Sequence, residues 1–165
     1  MENSTTPKIS SLIAQIQSND KLSQLLDGIN FVPGDTFYWN YTDCSVTYNE
    51  HSKDCIPFFL HEIGHAILKH SSYNKDVELL KMECSAWDEA KKISNILNIN
   101  IDDNLIESSL DTYRDWLHNR SLCPKCDTTG IQKTPKTYYC ISCYTKWNVN
   151  EARSCALRRY IKYSD

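Results

Sequence analysis

His61-Glu62-Ile63-Gly64-His65 is the segment that most narrows the folds open to this chain. At about 100° per residue, imidazoles four positions apart share one helical face, so the segment predicts a helix whose two rings grip one small object. Its surroundings agree. Pro57 suits a first helical position, and Ile56, Phe59, Leu60, Ile63, Ala66, Ile67 and Leu68 give a largely apolar helix ending near Ser71-Ser72. The plain alternative is an ordinary helix with two hydrogen-bonded histidines. The paired donors also match the spacing of zinc ligands, with Glu62 placed to take a proton from a water at such an ion.

A hydrolytic zinc keeps three protein ligands and an open position, so a third donor is required. His70 lies five residues past His65, about 140° around from it and about 180° from His61, and one straight helix cannot bring all three together. It reads as a helix-end histidine beside the C-terminal dipole. The next helix, roughly Val77 to Leu97, offers more. Leu79, Met82, Ala86, Ala90, Ile93 and Leu97 form a stripe at three-and-four spacing, and Glu83 falls inside it, where a carboxylate is costly unless paired or metal-bound. Asp88 and Glu89 point about 120° to 140° away, toward solvent. The alternative for Glu83 is a lysine or helix N-terminus as partner.

His61 to His70 followed by Glu83-Cys84-Ser85-Ala86 resembles the ImmA/IrrE-type metallopeptidases, which pair a glycine-containing HExGH helix with a glutamate opening an E-x-x-A helix. The resemblance spans roughly Phe31 to Leu97. It implies a zinc site of His61, His65 and Glu83 with Glu62 as general base, and a protein substrate such as a repressor or regulator. Two departures stand out. Trp87-Asp88-Glu89-Ala90-Lys91-Lys92 replaces the usual phenylalanine-alanine pair and apolar stretch ending in proline, and no N-terminal helix-turn-helix is evident, although Lys8 to Leu26 fits one amphipathic helix.

Cys123-Pro124-Lys125-Cys126 and Cys140-Ile141-Ser142-Cys143 form the second motif. Two C-x-x-C pairs can wrap a closed structural zinc, each pair a knuckle and the segment 127–139 between them a short hairpin, with Trp147 on a following strand. Disulfide or redox pairs are the alternative, and nothing suggests export. Cys44, Cys55, Cys84 and Cys155 have no repeated spacing and are expected to be mostly buried small apolar residues.

The rest predicts a turn at Phe31 to Gly34, strands over Thr36–Tyr41 and Ser45–Tyr48 joined at Thr42-Asp43, and a helix over about Asp103 to His118. The fold expected is α+β: a small zincin-like metallopeptidase domain of helices with a short antiparallel sheet over residues 1–118, then a zinc ribbon with a basic tail over 119–165. An edge strand beside the motif helix could take an extended peptide. The net charge of −3 hides a split. Residues 1–118 carry nine Lys or Arg against eighteen Asp or Glu, a balance of −9, and residues 119–165 carry nine against three, a balance of +6. Arg153, Arg158, Arg159 and Lys162 with Tyr160 and Tyr163, drawn as a short helix, suit phosphate and base contact, but equally a docked or solvated face.

The expected activity is zinc-dependent peptide hydrolysis with one catalytic and one structural Zn2+, Tyr73, Tyr113 and His118 being candidates to steady the oxyanion. Two rivals remain. A SprT-like DNA-associated protease would take a downstream histidine as third ligand, for which only His118 is available. A non-catalytic module would use the ribbon to bind nucleic acid or protein. No apolar run approaches the roughly 20 residues of a membrane span, and Met1 to Pro7 lacks signal-peptide character, so a cytoplasmic protein is expected.

Overall fold

The computed structural model describes residues 8–162; Met1 to Pro7 and Tyr163 lie outside the described residues. Five helices and two small sheets give an α+β architecture, and no helix among the described residues is long and apolar enough to cross a membrane. The chain divides into two compact units. One runs to Ser71 and resumes over Met82–Asp103; the other comprises Ser72–Lys81 and continues from Asn104. The division therefore differs from the one drawn at residue 118, because a buried polar network described below ties residue 76 to the ribbon.

In the first unit the segment expected as one helix is two, α1 (Ile9–Ser18) and α2 (Asp20–Leu25). Asn19 between them is extended, and its side chain accepts from the Leu22 N–H at 3.1 Å, which caps a new helix instead of continuing the old one. Ile9, Leu12, Ile16 and Leu22 are buried.

β1 (Asn30–Pro33), β2 (Tyr38–Asn40) and β3 (Ser45–Tyr48) form a sheet in the order β1-β3-β2. The β2–β3 pair is antiparallel with Thr42 and Asp43 in its turn, as the sequence predicts. Phe31 to Pro33, expected in a turn, are instead strand residues paired parallel to β3, so the sheet is mixed. Two features favour this. Phe31 packs edge-on against Phe59 at 5.5 Å, and Pro33 ends an edge strand, where a missing N–H is tolerated.

α3 (Cys55–Ile67) carries the histidine motif. It stops short of the expected Ser71-Ser72 because Lys69 turns left-handed, at φ 52°. Phe59 packs it on the sheet through Phe31 and Tyr48, and Ile56, Leu60 and Ile63 are buried. Its other neighbour is α4 (Asp76–Ile96), which it meets at Gly64. A Cβ at position 64 would lie 2.2 Å from the Ala86 carbonyl oxygen, so only glycine permits the approach.

In the second unit α5 (Asp103–Ser121) leads into a sheet of β4 (Ile131–Thr134), β5 (Thr137–Tyr139), β6 (Lys146–Val149) and β7 (Arg159–Lys162), antiparallel throughout and in that order. β4 and β5 are the expected hairpin. β7 is a correction: Arg159, Tyr160 and Lys162 lie on a strand and not a helix, because β6 offers them a free edge, with Trp147 opposite Ile161. Tyr138 and Trp147 stack at 5.5 Å on the inner face, and Gly130 makes room, since a Cβ there would sit 2.3 Å from the Trp147 ring.

Asp76 holds this unit together. Its carboxylate accepts from Arg120 Nε at 2.5 Å and Nη2 at 3.2 Å, from Tyr138 Oη at 2.6 Å and from Gln132 Nε2 at 2.9 Å. Arg120 also donates to the carbonyls of Pro135, Asn150 and Glu151, and stacks over Trp116. Asp76 and Arg120 are 1% and 3% exposed, a pair that persists there only because nearly every donor and acceptor is satisfied.

Candidate metal centres

Helical periodicity delivers the first centre. His61 and His65, one turn apart on α3, present their Nε2 atoms 3.1 Å apart. Glu83 on α4 turns inward, 5% exposed, with Oε2 3.0 Å from His61 Nε2 and 3.5 Å from His65 Nε2. Ligands about 2.0–2.1 Å from a tetrahedral zinc lie about 3.3–3.4 Å from one another, so the three atoms outline one face of such a coordination shell. Burial alone would raise the Glu83 carboxyl, but hydrogen bonds from His61 and His65 hold it well below the usual carboxylate range. It is therefore an anion facing two imidazoles, a donor set suited to a borderline divalent metal.

His65 is oriented from behind. Its Nδ1 lies 2.9 Å from His70 Nδ1, and His70 Nε2 lies 3.4 Å from Ser85 Oγ, which donates to the Met82 carbonyl at 3.0 Å. Only one polarity satisfies the chain when the His65 Nε2 lone pair faces the cluster: His65 Nδ1–H donates to His70, whose Nε2–H points to Ser85. Burial first, and then the adjacent His65, push the His70 pKa below that of an ordinary imidazole, which favours the neutral acceptor. His70 is thus not a ligand, in agreement with helix geometry, but it does more than cap a helix: the left-handed Lys69 folds it back under His65.

His61 is held by packing. The Trp87 ring stacks on it at 4.3 Å, and His61 Nδ1 and Trp87 Nε1 are buried with no hydrogen-bond partner among the described residues. Trp87 lies four residues past Glu83, one turn along the same face, which was the sequence signal for it.

Glu62, beside the cluster, accepts the Trp39 backbone N–H on Oε2 at 2.8 Å. Trp39 also donates its indole N–H to the His70 carbonyl at 2.9 Å, so one residue of β2 holds both the carboxylate and the outer histidine. Burial pushes the Glu62 pKa above the usual range, while the charges of His61 and His65 pull it partly back. Periodicity gives no access to Trp39, since the contact is made by a strand 23 residues upstream.

In the second centre Cys126 Sγ lies 3.4 Å from Cys143 and 3.6 Å from Cys140, and Cys123 Sγ lies 3.6 Å from Cys143. A disulfide needs about 2.05 Å, whereas thiolates about 2.3 Å from one zinc are about 3.8 Å apart, so the cluster fits the ion and not a bond. The N–H groups of Lys125 and Cys143 point at the sulfurs of Cys123 and Cys140, the knuckle geometry the spacing predicts. Burial pushes the Cys123 thiol up to about 11, and a hydrogen bond with the Thr145 hydroxyl brings Cys143 down to about 6.

These two groups, His61/His65/Glu83 and Cys123/Cys126/Cys140/Cys143, converge as possible metal sites among the described residues, and His118 belongs to neither. Tyr73, Tyr113 and His118 all fall in the second unit, Tyr113 under the Arg153 guanidinium at 4.1 Å. The remaining cysteines are not buried: Cys44 and Cys155 are exposed and Cys55 and Cys84 half-buried, Cys44 because it occupies the left-handed turn between β2 and β3. Compared with known proteins, the chain matches no family model, no curated protein and no solved structure.

Proposed function

We propose that the first unit is a zincin-like peptidase site of the ImmA/IrrE kind, with His61, His65 and Glu83 as ligands of a catalytic zinc and Glu62 as general base, and that the four cysteines hold a structural zinc. The convergence of two Nε2 atoms and one carboxylate oxygen, all within 4.8 Å and beside a second carboxylate, carries this reading. A zinc ion in such a site acidifies water and polarises a carbonyl.

The protein residues do the rest. Glu62, held on Oε2 by Trp39, keeps its other oxygen free to take a proton from the attacking water and return it to the leaving amine. Burial raises its pKa, while the neighbouring His61 and His65 lower it in part. His70 keeps Nδ1 of His65 as the protonated nitrogen, so that Nε2 stays a donor to metal. β2 is an edge strand whose Trp39 faces Glu62, and an extended peptide added to that edge would bring a backbone carbonyl to the base. The substrate is accordingly a protein segment in extended form, and eight cysteines with no disulfide among the described residues suit a reducing, cytoplasmic setting.

The test combines metal counting with hydrolysis of a fluorescence-quenched peptide mixture. Glu62→Gln should keep full zinc and lose turnover, and Glu83→Ala should lose one zinc and turnover together. Wild-type turnover in Glu62→Gln would remove the assigned base, and zinc lost with His118→Ala but not with Glu83→Ala would favour the SprT-like ligand set.

A further inference from the structure

The register of the second sheet sorts its side chains onto two faces, because residues paired across antiparallel strands point to the same side. Tyr138 and Trp147 lie on the inner face, buried against Asp76 and α5. The opposite face carries one row of Ile131, Tyr139, Lys146 and Lys162 and a second of Thr137, Asn148 and Tyr160. At Lys133 the β4–β5 register shifts, and the lysine reaches over the Tyr139 ring, its Nζ 5.7 Å from the centroid. Tyr144 joins from the second knuckle, 6.3 Å from Tyr139. Three tyrosines and three lysines thus share this face with no carboxylate, since Asp127 and Glu151, the acidic residues described after position 119, lie outside the strands.

Tyr144 is the residue that folding does not explain. It sits at φ 62°, a left-handed position that disfavours a bulky side chain, and its ring is 73% exposed. The corresponding position of the first knuckle holds Asp127, at φ 56°. Asparagine or glycine would serve the turn at less cost. Tyr160, 53% exposed, likewise spends an aromatic ring on solvent.

We propose that this outer face binds single-stranded nucleic acid, with Tyr139, Tyr144 and Tyr160 stacking on bases and Lys133, Lys146 and Lys162 meeting phosphates. The combination favours a single strand. Exposed rings are platforms for unpaired bases, whereas a duplex presents phosphates and hides its base faces. The proposal does not depend on the peptidase reading.

The test is fluorescence anisotropy of the full zinc-loaded chain with labelled oligothymidylate and oligouridylate over a salt series. Wild type should bind with a salt-dependent slope. Replacing Lys133, Lys146 and Lys162 together by Gln should flatten that slope by about 2 and weaken binding roughly 500-fold near 50 mM salt, at about 0.7 per phosphate contact. Lys21→Gln on α2 should change neither. Tyr144→Asn separates binding from folding, because it relieves the left-handed strain and so should leave thermal stability equal or higher while weakening binding about 5- to 150-fold, the range for one lost stacking partner. An absence of binding near 50 mM salt, an unchanged slope in the lysine variant, or unchanged affinity in Tyr144→Asn would overturn the proposal. So would equal lysine-dependent binding to anionic vesicles or acidic peptides.

Discussion

Gly64→Ala isolates the helix contact on which the first centre depends. The added Cβ would lie 2.2 Å from the Ala86 carbonyl oxygen and 3.0 Å from its carbon, and both obstacles are backbone. Restoring an ordinary contact requires α3 and α4 to separate locally by about 1 Å, against the roughly 0.2 Å that ligand distances at a metal tolerate. Glu83 lies three residues before Ala86 on the same helix and would move with it. Stability should fall by up to about 2 kcal/mol, because overpacking costs about 1–3 kcal/mol while alanine in place of glycine returns about 1 kcal/mol of helix propensity. Zinc affinity at this centre should fall by more than the roughly 10–100-fold that follows loss of an outer-shell partner. The assay is zinc retention against a graded chelator, with thermal melts alongside. Ala86→Gly should fail to rescue, since the obstruction is a carbonyl and not a methyl group. Wild-type zinc retention in Gly64→Ala would refute the argument that close approach of the helices is what places Glu83.

Other perturbations read other parts of the structure. His70→Asn, whose Oδ1 can replace Nδ1 as acceptor, should keep most zinc affinity, while His70→Leu should lose about 10–100-fold; equal affinities in a chelator titration would refute the acceptor role. Glu62 has a folded-state pKa raised by burial, so it favours the folded state below its unfolded pKa and opposes folding once pH rises through the folded value. Metal-free Glu62→Gln should therefore melt higher than metal-free wild type at pH about 7, and the advantage should vanish at pH about 4, where the carboxyl is protonated in both states. Asp76→Ala leaves Arg120 buried without its anion and should cost about 3–5 kcal/mol in denaturant unfolding, whereas Asp76→Leu with Arg120→Met should cost much less. Cys123→Ser should remove one zinc per chain and leave the chelator-sensitive centre of the first unit loaded.

Where an element is specified by its own residues, the sequence made it readable. The α3 ligands share a helical face, Glu83 interrupts an apolar stripe, and each C-x-x-C makes its own knuckle, so these positions follow from local geometry. β1 was missed because Asn30 to Pro33 carries proline and sits beside glycine, and becomes a strand only through a partner, β3, that lies twelve or more residues away in chain order. The tail failed for the same reason: Arg159 to Lys162 sets basic residues on either side of Tyr160 and Ile161, a pattern that suits either conformation, and the free edge of β6 decides. The single helix expected over Lys8 to Leu26 failed on one residue, Asn19, whose side chain competes for a backbone N–H.

The site's supporting residues show what such reading omits. Trp39 acts on Glu62 through a main-chain N–H, which any residue but proline could supply, so nothing in its identity announces that hold. Trp87 was visible, but as an oddity in the E-x-x-A helix. Its stacking on His61 gives that oddity a cause: among the described residues no partner fixes this ligand imidazole through its second nitrogen, Nδ1, and a flat ring packed at 4.3 Å restrains the imidazole's rotation instead. The two histidines are therefore steadied by different physics, one by a directed hydrogen bond to His70 and the other by contact area. Truncating Trp87 to Leu should loosen His61 while leaving the His65–His70 bond intact, and the Nδ1 proton resonance of His65 should survive a change that broadens the signals of His61.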